Sequence, residues 1–453
     1  MKNIHRASGR YLSVCAGILI LALFGGLGTI QQGDGTFLNS EVFAEIACPQ
    51  QYSPERIILN LTQQPWSSQA VTWRTMSEVS SPQAQIARAT ESSDWIETAQ
   101  TIQADKEAVV IHDSKTAYHY SAIFASLSPN TLYAYRVGDG ELWSEWNQFK
   151  TAGKAPAPFK FVYFGDPQEE VLSMCSRIFR TAYQTAPDAA FWHFVGDLVD
   201  NGDRDAEWAE LFEAFGWIPR TTPMIMLPGN HEYPDKRIVH GGDFKIFPLW
   251  RPHFTLPENG PEGLKETVYF IDYQGVRLVM LNGNEQLEKQ AVWLDGVLSE
   301  NPQRWTIAAI HQPVYSAAER RKAKADSPLK HLFVPVFDKY SVDLVLQGHD
   351  HVYSRSARLK NSTRVPGTEK GTVYVISVCG PKFYESDNTR QDIMDKTGTG
   401  RQLFQVIRVD ENRLQYESYD ARGEIYDSFA LEKERTDGAN NGDCNSNRGA
   451  EKR

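Results

Sequence analysis

With 453 residues, 41% of them apolar and 23% charged, the chain has the make-up of an ordinary globular protein long enough for two domains. Its 57 acidic against 47 basic side chains leave a formal charge of -10, which argues against phosphate-backbone binding, and no stretch reads as a nucleic-acid patch. Five cysteines without a Cys-x-x-Cys pair argue against a thiolate metal site or a disulfide scaffold.

Lys2, Arg6 and Arg10 precede the uncharged run 11–30, rich in Leu, Ile, Gly and Ala. A basic flank before an apolar stretch of about 20 residues reads as an export signal or, if retained, as a membrane anchor. Either places the body outside the cytoplasm, as a secreted, periplasmic or anchored protein. Val42-Phe43-Ala44 and Ala44-Glu45-Ile46-Ala47 look like cleavage sites, so residues 1–47 read as signal peptide or membrane anchor.

Residues 54–151 show short alternating strands, as in Ile57, Leu59 and Leu61, in Val71 and Trp73, and over 118–124 and 131–137. Turn signals at close spacing over about a hundred residues predict a β-sandwich. Here His112 and His119 read as surface or strand-packing residues. Ser128-Pro129-Asn130-Thr131-Leu132-Tyr133 resembles the tyrosine-bearing corner of fibronectin type III domains. The linker 152–158, with Pro156 and Pro158, ends this region because proline cannot continue a central strand.

From Phe159 onward strands alternate with helices. Strands are predicted at 159–164, 189–195, 224–227, 268–273, 276–281, 305–310, 342–346, 372–378, 403–409 and 414–421, and helices at 171–185, 205–215, 286–299 and 329–340. The pattern predicts an α/β or α+β sandwich with mixed sheets. The polar tail 434–453 reads as disordered.

Five of the apolar runs end on chemistry: Gly165-Asp166, Gly196-Asp197, Gly229-Asn230-His231-Glu232, Ile310-His311 and Gly348-His349-Asp350-His351. Parallel strands deliver such residues to the carboxyl edge of a sheet, where α/β proteins bind ligands. A set of carboxylate, amide and imidazole donors without sulfur suits Zn, Mn or Fe. Two cations about 3.5 Å apart need a shared oxygen, and Asp197 is placed to bridge them, with Asp166 and His351 on one side and Asn230, His311 and His349 on the other. Asp350, between two histidines, reads as an orienting or turn-capping residue. His193 reads as packed, and His240, His253 and His331 lack support as ligands.

These five blocks resemble those of the calcineurin-like metallophosphoesterases, and with the leading fibronectin-like region the chain is similar to the purple acid phosphatases over residues 54–432. His311-Gln312-Pro313-Val314-Tyr315-Ser316 and Gly348-His349-Asp350-His351-Val352-Tyr353 carry the resemblance beyond the ligands. It implies an α+β fold in which a fibronectin III-like β-sandwich (54–151) is followed by a four-layer α/β/β/α catalytic domain (159–432). The metal ligands it implies are Asp166, Asp197, Asn230, His311, His349 and His351, holding two metal ions of divalent type (Fe, Zn or Mn). The implied activity is hydrolysis of small phosphomonoesters by a metal-bound hydroxide, with His231 as general acid and Glu232 orienting or tuning it.

Two positions depart from the family. Where purple acid phosphatases carry a tyrosine ligand the chain has Asp200, and where other members carry a histidine it has Gln168, so Gln168, Asp200 or water must fill the gap and no purple colour is expected. Arg320 and Arg321 fall at a distance from His311 where plant relatives carry histidines, which implies that one contacts the phosphate, but both also read as solvated charges. The alternatives to a phosphomonoesterase are a phosphodiesterase on the same core and a surface binding protein with a degraded metal site.

Overall fold

The computed structural model describes residues 52–111, 114–235, 245–324, 327–367 and 369–434. The expected leader 1–47, nearly all of the expected disordered tail, His112 and His240 lie outside the described residues. Among those described, no helix is long and apolar enough to cross a membrane.

The first part contributes β1 (Glu55–Asn60), β2 (Gln69–Thr75), β3 (Gln83–Arg88), β4 (Gln100–Gln103), β5 (Asp105–Val110), β6 (Thr116–Phe124), β7 (Leu132–Gly138) and β8 (Asn147–Lys150). Two layers, β1-β2-β6-β5 and β4-β3-β7-β8, close on a core that includes Ile57, Leu59, Val71, Trp73, Phe124, Tyr135 and Phe149. Strand alternation turns Ile58 the other way, into the core of the second part. The backbone N–H of Ser128 donates to the Tyr133 hydroxyl at 2.9 Å, which closes the corner that the sequence suggested.

Beyond the linker come β9 (Phe159–Phe164), α1 (Ser176–Thr185), β10 (Trp192–Phe194), α2 (Asp205–Phe215), β11 (Met224–Met226), α3 (Trp250–His253), β12 (Tyr269–Tyr273), β13 (Val276–Leu281), α4 (Leu287–Ser299), β14 (Trp305–Ile310), α5 (Pro328–Tyr340) and β15 (Leu344–Gln347). The chain ends through β16 (Tyr353–Ser356), β17 (Leu359–Lys360), β18 (Thr363–Arg364), β19 (Val373–Ile376), β20 (Met394–Gly398), β21 (Leu403–Val409), β22 (Arg413–Asp420) and β23 (Ile425–Glu432).

Strands β9, β10 and β11 are parallel, as are β13, β14, β15 and β19, because runs buried on both faces suit parallel pairing. In the second sheet, β12-β13-β14-β15-β19-β16-β20, alternation divides the side chains between two cores. Leu278, Met280, Ile307, Ala309 and Leu346 join the core of the first sheet, while Val279, Leu281, Ile310 and Val345 pack with Leu294 of α4 and Phe333 and Phe337 of α5. On the first sheet, Phe164 and Phe194 meet Phe179 of α1 and Phe215 of α2. The layers therefore run helix, sheet, sheet, helix.

The first sheet does not stop at the linker. Its order is β23-β22-β21-β9-β10-β11-β1-β2-β6-β5, so one layer of the sandwich extends the sheet that carries Asp166 and Asp197. The join is a parallel pairing of Asn60 with Met224, and the Asn60 side-chain amide donates to the Met224 carbonyl at 3.1 Å. The apolar run 189–195 yields only the strand Trp192–Phe194, and the helix expected from 171 begins as a π-turn over Val171–Cys175.

Candidate metal centre

The five strand ends converge between the two sheets. β9 leads into Asp166, β10 into Asp197, β11 into Asn230, β14 into His311 and β15 into His349 and His351. None of these six side chains belongs to a residue more than 5% exposed, so each faces the interior of the loop crown. Four of them, Asp166, Asp197, His349 and His351, have positive φ, between 39° and 71°. Such a backbone costs roughly 1–3 kcal/mol at a non-glycine residue and persists where the surroundings fix it. The glycines beside them are required by contact: a Cβ on Gly229 would collide with Asp197 Oδ1, and one on Gly348 with Asp166 Oδ1.

His311 is the hub. Its Nε2 lies 3.1 Å from Asp197 Oδ2, 3.2 Å from Asn230 Oδ1 and 3.1 Å from His349 Nδ1. Its Nδ1 is 2.8 Å from the Val195 carbonyl, which can only accept, so Nδ1 carries a proton and Nε2 faces the cluster. One donor atom from each of Asp197, His311 and His349 fits within a 4.8 Å span, a group able to hold a metal ion.

A second group shares Asp197. His351 gives Nδ1–H to the Lys382 carbonyl at 3.1 Å, which leaves Nε2 directed inward, 3.9 Å from Asp166 Oδ2. The Gln168 amide nitrogen lies 2.8 Å from that Nε2 and donates to Asp197 Oδ2 at 3.2 Å. Asp166 Oδ1, Gln168 Oε1 and His349 Nε2 are buried without a hydrogen-bond partner. Buried polar atoms are normally paired, so oxygens left over amid converging lone pairs fit a cation. The nitrogen and oxygen donors fit Zn, Mn or Fe.

Burial pushes the Asp166 carboxyl well above the usual carboxylate range, with His311 opposing it. Burial works the same way on Asp197, but the facing His311 and His231 outweigh it and hold this carboxyl well below its ordinary value. Burial lowers His311, yet Asp197 and Asp166 together raise it to about 9. Burial lowers His349, and lowers His351 to about 3, so both stay in the neutral form that ligates metals.

Around this cluster, Glu232 does not touch His231 as expected. Burial, then Asp197, raises its carboxyl to about 7, and it accepts the backbone N–H groups of Asp197 (3.0 Å), Leu198 (2.8 Å) and Gly229 (2.6 Å), which ties two ligand loops together. Asp350 accepts from the Ser316 hydroxyl at 2.6 Å and faces Arg321 Nε at 2.9 Å, so it anchors the His-x-His turn and occupies Arg321. His231 sits at the rim, its Nδ1 2.7 Å from the Asp200 carbonyl and 3.0 Å from Asp200 Oδ1, and its Nε2 3.8 Å from Asp197 Oδ2. Asp200 is thus engaged by His231, whereas Gln168 enters the cluster. Arg320 lies 3.9 Å above the Tyr384 ring, and Tyr384 packs against His351 at 4.8 Å. Nothing in the sequence singled out Tyr384, which comes from a loop far along the chain. His193 is buried with its Nδ1 3.3 Å from the Ile225 carbonyl of the neighbouring strand, and His253 lies with Arg56 outside the centre.

Residues 159–353, the helix-sheet-sheet-helix part that carries these donors, match the family described as Calcineurin-like phosphoesterase. Residues 54–151 match the family described as Purple acid Phosphatase, N-terminal domain, so the two matches follow one another along the chain. It is 25% identical over 373 residues to an uncharacterised protein of Mycobacterium tuberculosis, covering 72% of this chain and 64% of the relative. With the probable purple acid phosphatase 20 of Arabidopsis thaliana it shares 26% over 266 residues, 54% of this chain and 60% of the relative. The chain therefore spans under two thirds of the length of these relatives. The solved structure of purple acid phosphatase PPD1 from yellow lupin (Lupinus luteus) seeds superposes with a TM-score of 0.72 at 19% identity, over 84% of this chain and 74% of that one, a likeness of fold.

Proposed function

We propose that this chain is a binuclear metal-dependent phosphatase acting on small phosphomonoesters. The observation that carries the reading is the pair of buried donor groups that meet at Asp197 Oδ2, with His311 Nε2 3.1 Å and the Gln168 amide 3.2 Å away. Asp166 and His351 would hold one divalent ion, Asn230, His311 and His349 the other, and Asp197 both. When bound, such a pair of Fe, Zn or Mn ions polarises phosphoryl oxygens and activates water.

The chain's own groups do the rest. His231 gives its Nδ1–H to the Asp200 carbonyl, which fixes the ring with Nε2 toward the cluster. In its doubly protonated form it donates the Nε2 proton to the departing alkoxide oxygen and keeps the Nδ1–H on Asp200, the step a monoester of a poor leaving group needs most. Glu232 holds the Asp197 and Asn230 loops in register, so the leaving-group proton and the ligand carboxylate keep their spacing. The purple acid phosphatases among the relatives support a monoester substrate. The same reading takes 54–151 as a fibronectin III-like sandwich and 159–432 as the catalytic domain. It also places the protein outside the cytoplasm, on the strength of the basic flank and apolar run at 11–30; cell fractionation with a carboxyl-terminal tag checks this, and a cytoplasmic pool would reject it.

The test of function is hydrolysis of a chromogenic phosphomonoester and a phosphodiester by the purified chain and its Asp197→Asn variant, with metal content measured in parallel. Monoester turnover that tracks metal and disappears with Asp197 is expected. Preference for the diester would replace the substrate assignment, and absence of both metal and turnover would leave a binding protein.

A further inference from the structure

We infer that Gln168 is a conditional metal ligand, which makes the Asp166 half of the centre an oxygen-rich, exchangeable site for a hard divalent cation such as Mn²⁺, while the imidazole-rich half retains its ion. The inference rests on the metal-centre reading above. It begins with the position of the Gln168 side chain. The residue is fully buried, and its backbone N–H donates to the Asp197 carbonyl at 3.2 Å, so the side chain can reach little else. Its amide nitrogen stands between two acceptors, Asp197 Oδ2 at 3.2 Å and His351 Nε2 at 2.8 Å, while Oε1 has no partner.

The –NH₂ group thus does for two lone pairs what a cation would do. A cation entering this half must displace both hydrogen bonds. A half-turn about the last side-chain torsion then exchanges nitrogen for oxygen and presents Oε1 to the ion. Without a cation that orientation sets an oxygen against a carboxylate and an imidazole lone pair, so the ligand state forms only on loading.

The two halves also differ in donor type. With Gln168 counted, the first half offers Asp166, the shared Asp197, an amide oxygen and the single imidazole of His351. The second offers Asn230, Asp197 and two imidazoles, and His311 Nε2 lies within 3.2 Å of a donor atom from each of the other three residues. Imidazole favours Zn²⁺ and its neighbours, whereas carboxylate and carbonyl oxygens suit Mn²⁺ and Mg²⁺. The extra charge of Asp166 attracts any cation, but the competing amide and the neutral oxygen that replaces it make release easy.

The experiment loads the metal-free full chain with Zn²⁺, desalts it, measures retained zinc, then titrates Mn²⁺ and follows the free-ion EPR signal. The wild type is expected to retain one zinc and to bind one Mn²⁺ that a second desalting removes. Gln168→His, which adds an imidazole, should retain a second zinc and leave no Mn²⁺ site. Gln168→Ala should keep the first zinc and bind Mn²⁺ about 10–100-fold more weakly, the range for losing a group that tunes a site. Equal Mn²⁺ affinity in wild type and Gln168→Ala would overturn the role of Gln168 with the centre intact, as would two zincs retained by the wild type. Failure of the wild type to retain any zinc would overturn the metal-centre reading itself, and this inference with it.

Discussion

Two clusters of buried charge in this protein are built on opposite rules. Where the sandwich meets the second part, Asp205 receives Arg56 Nη1 at 2.8 Å and Nη2 at 3.1 Å, and Arg74 Nη1 at 2.7 Å. Arg74 also holds Glu55 at 2.6 Å, and Arg56 approaches His253 Nε2 at 2.9 Å. Burial, then Arg74, lowers the Arg56 guanidinium to about 10, yet both cations have a carboxylate in reach. In the strand-end crown, acceptors outnumber donors, oxygens of Asp166 and Gln168 go unpaired, and four residues sit in the left-handed region. The chain completes the first cluster by itself and leaves the second incomplete. A surplus of lone pairs under full burial is the physical mark of a site made for something else.

That contrast can be attacked from both sides. Asp197→Asn should have the largest effect: loss of the shared anionic oxygen should abolish turnover and bound metal. His231→Ala should lower turnover by roughly 10²–10⁴-fold at unchanged metal content, with a smaller loss for substrates with good leaving groups. In the self-completed cluster, Asp205→Ala leaves the buried Arg56 guanidinium without its carboxylate while Arg74 keeps Glu55, and should cost about 3–5 kcal/mol of stability in urea unfolding, with normal turnover per folded molecule. Asp350→Asn, which loosens the His-x-His turn, should weaken metal binding by about 10–100-fold in a calorimetric titration.

The smallest effect concerns acid. Burial, then Arg74 and Arg56, holds the His119 ring at about 3 against an ordinary 6.5. The unfolded chain therefore takes up a proton that the folded one refuses, so stability is full above pH 6.5 and falls as pH drops toward 3. Asp205, depressed against burial by Arg56 and Arg74, adds a loss below its ordinary 3.8. His119→Gln should reduce the slope of the limb between pH 6.5 and 4 in urea midpoints of the metal-free chain, the remainder coming from His193, His253, His349 and His351, whereas an unchanged slope would remove His119 from the account.

The parallel strands were legible because long apolar runs ended by Gly-Asp, Gly-Asn or His carry both periodicity and chemistry in one stretch. α2 and β13, β14 and β21 fall at the expected bounds, since helical spacing in 205–215 and β-branched or apolar runs elsewhere had no competitor. The candidate ligands could be named one by one, but their mutual distances could not. The role of Glu232 was misread because sequence adjacency to His231 says nothing about which way a side chain turns on a 3-10 turn; it turns to the Asp197 loop. Tyr384 and the Arg56–Asp205 pair join positions far apart in the chain, and no local pattern encodes such meetings. β23 went unseen because Asp427 and Ser428 interrupt its apolar residues, and it exists through pairing with β22.

The sheet that passes from β11 to β1 has a consequence for how the molecule behaves when cut. Asn60 and Met224 are joined by backbone and side chain alike, and Arg56 and Arg74 grip Asp205 across the same border. The segment 152–158 is therefore a tether and not a hinge. A protease that nicks it should leave two fragments that migrate together under native conditions and separate only in denaturant, because the fabric between them is woven elsewhere.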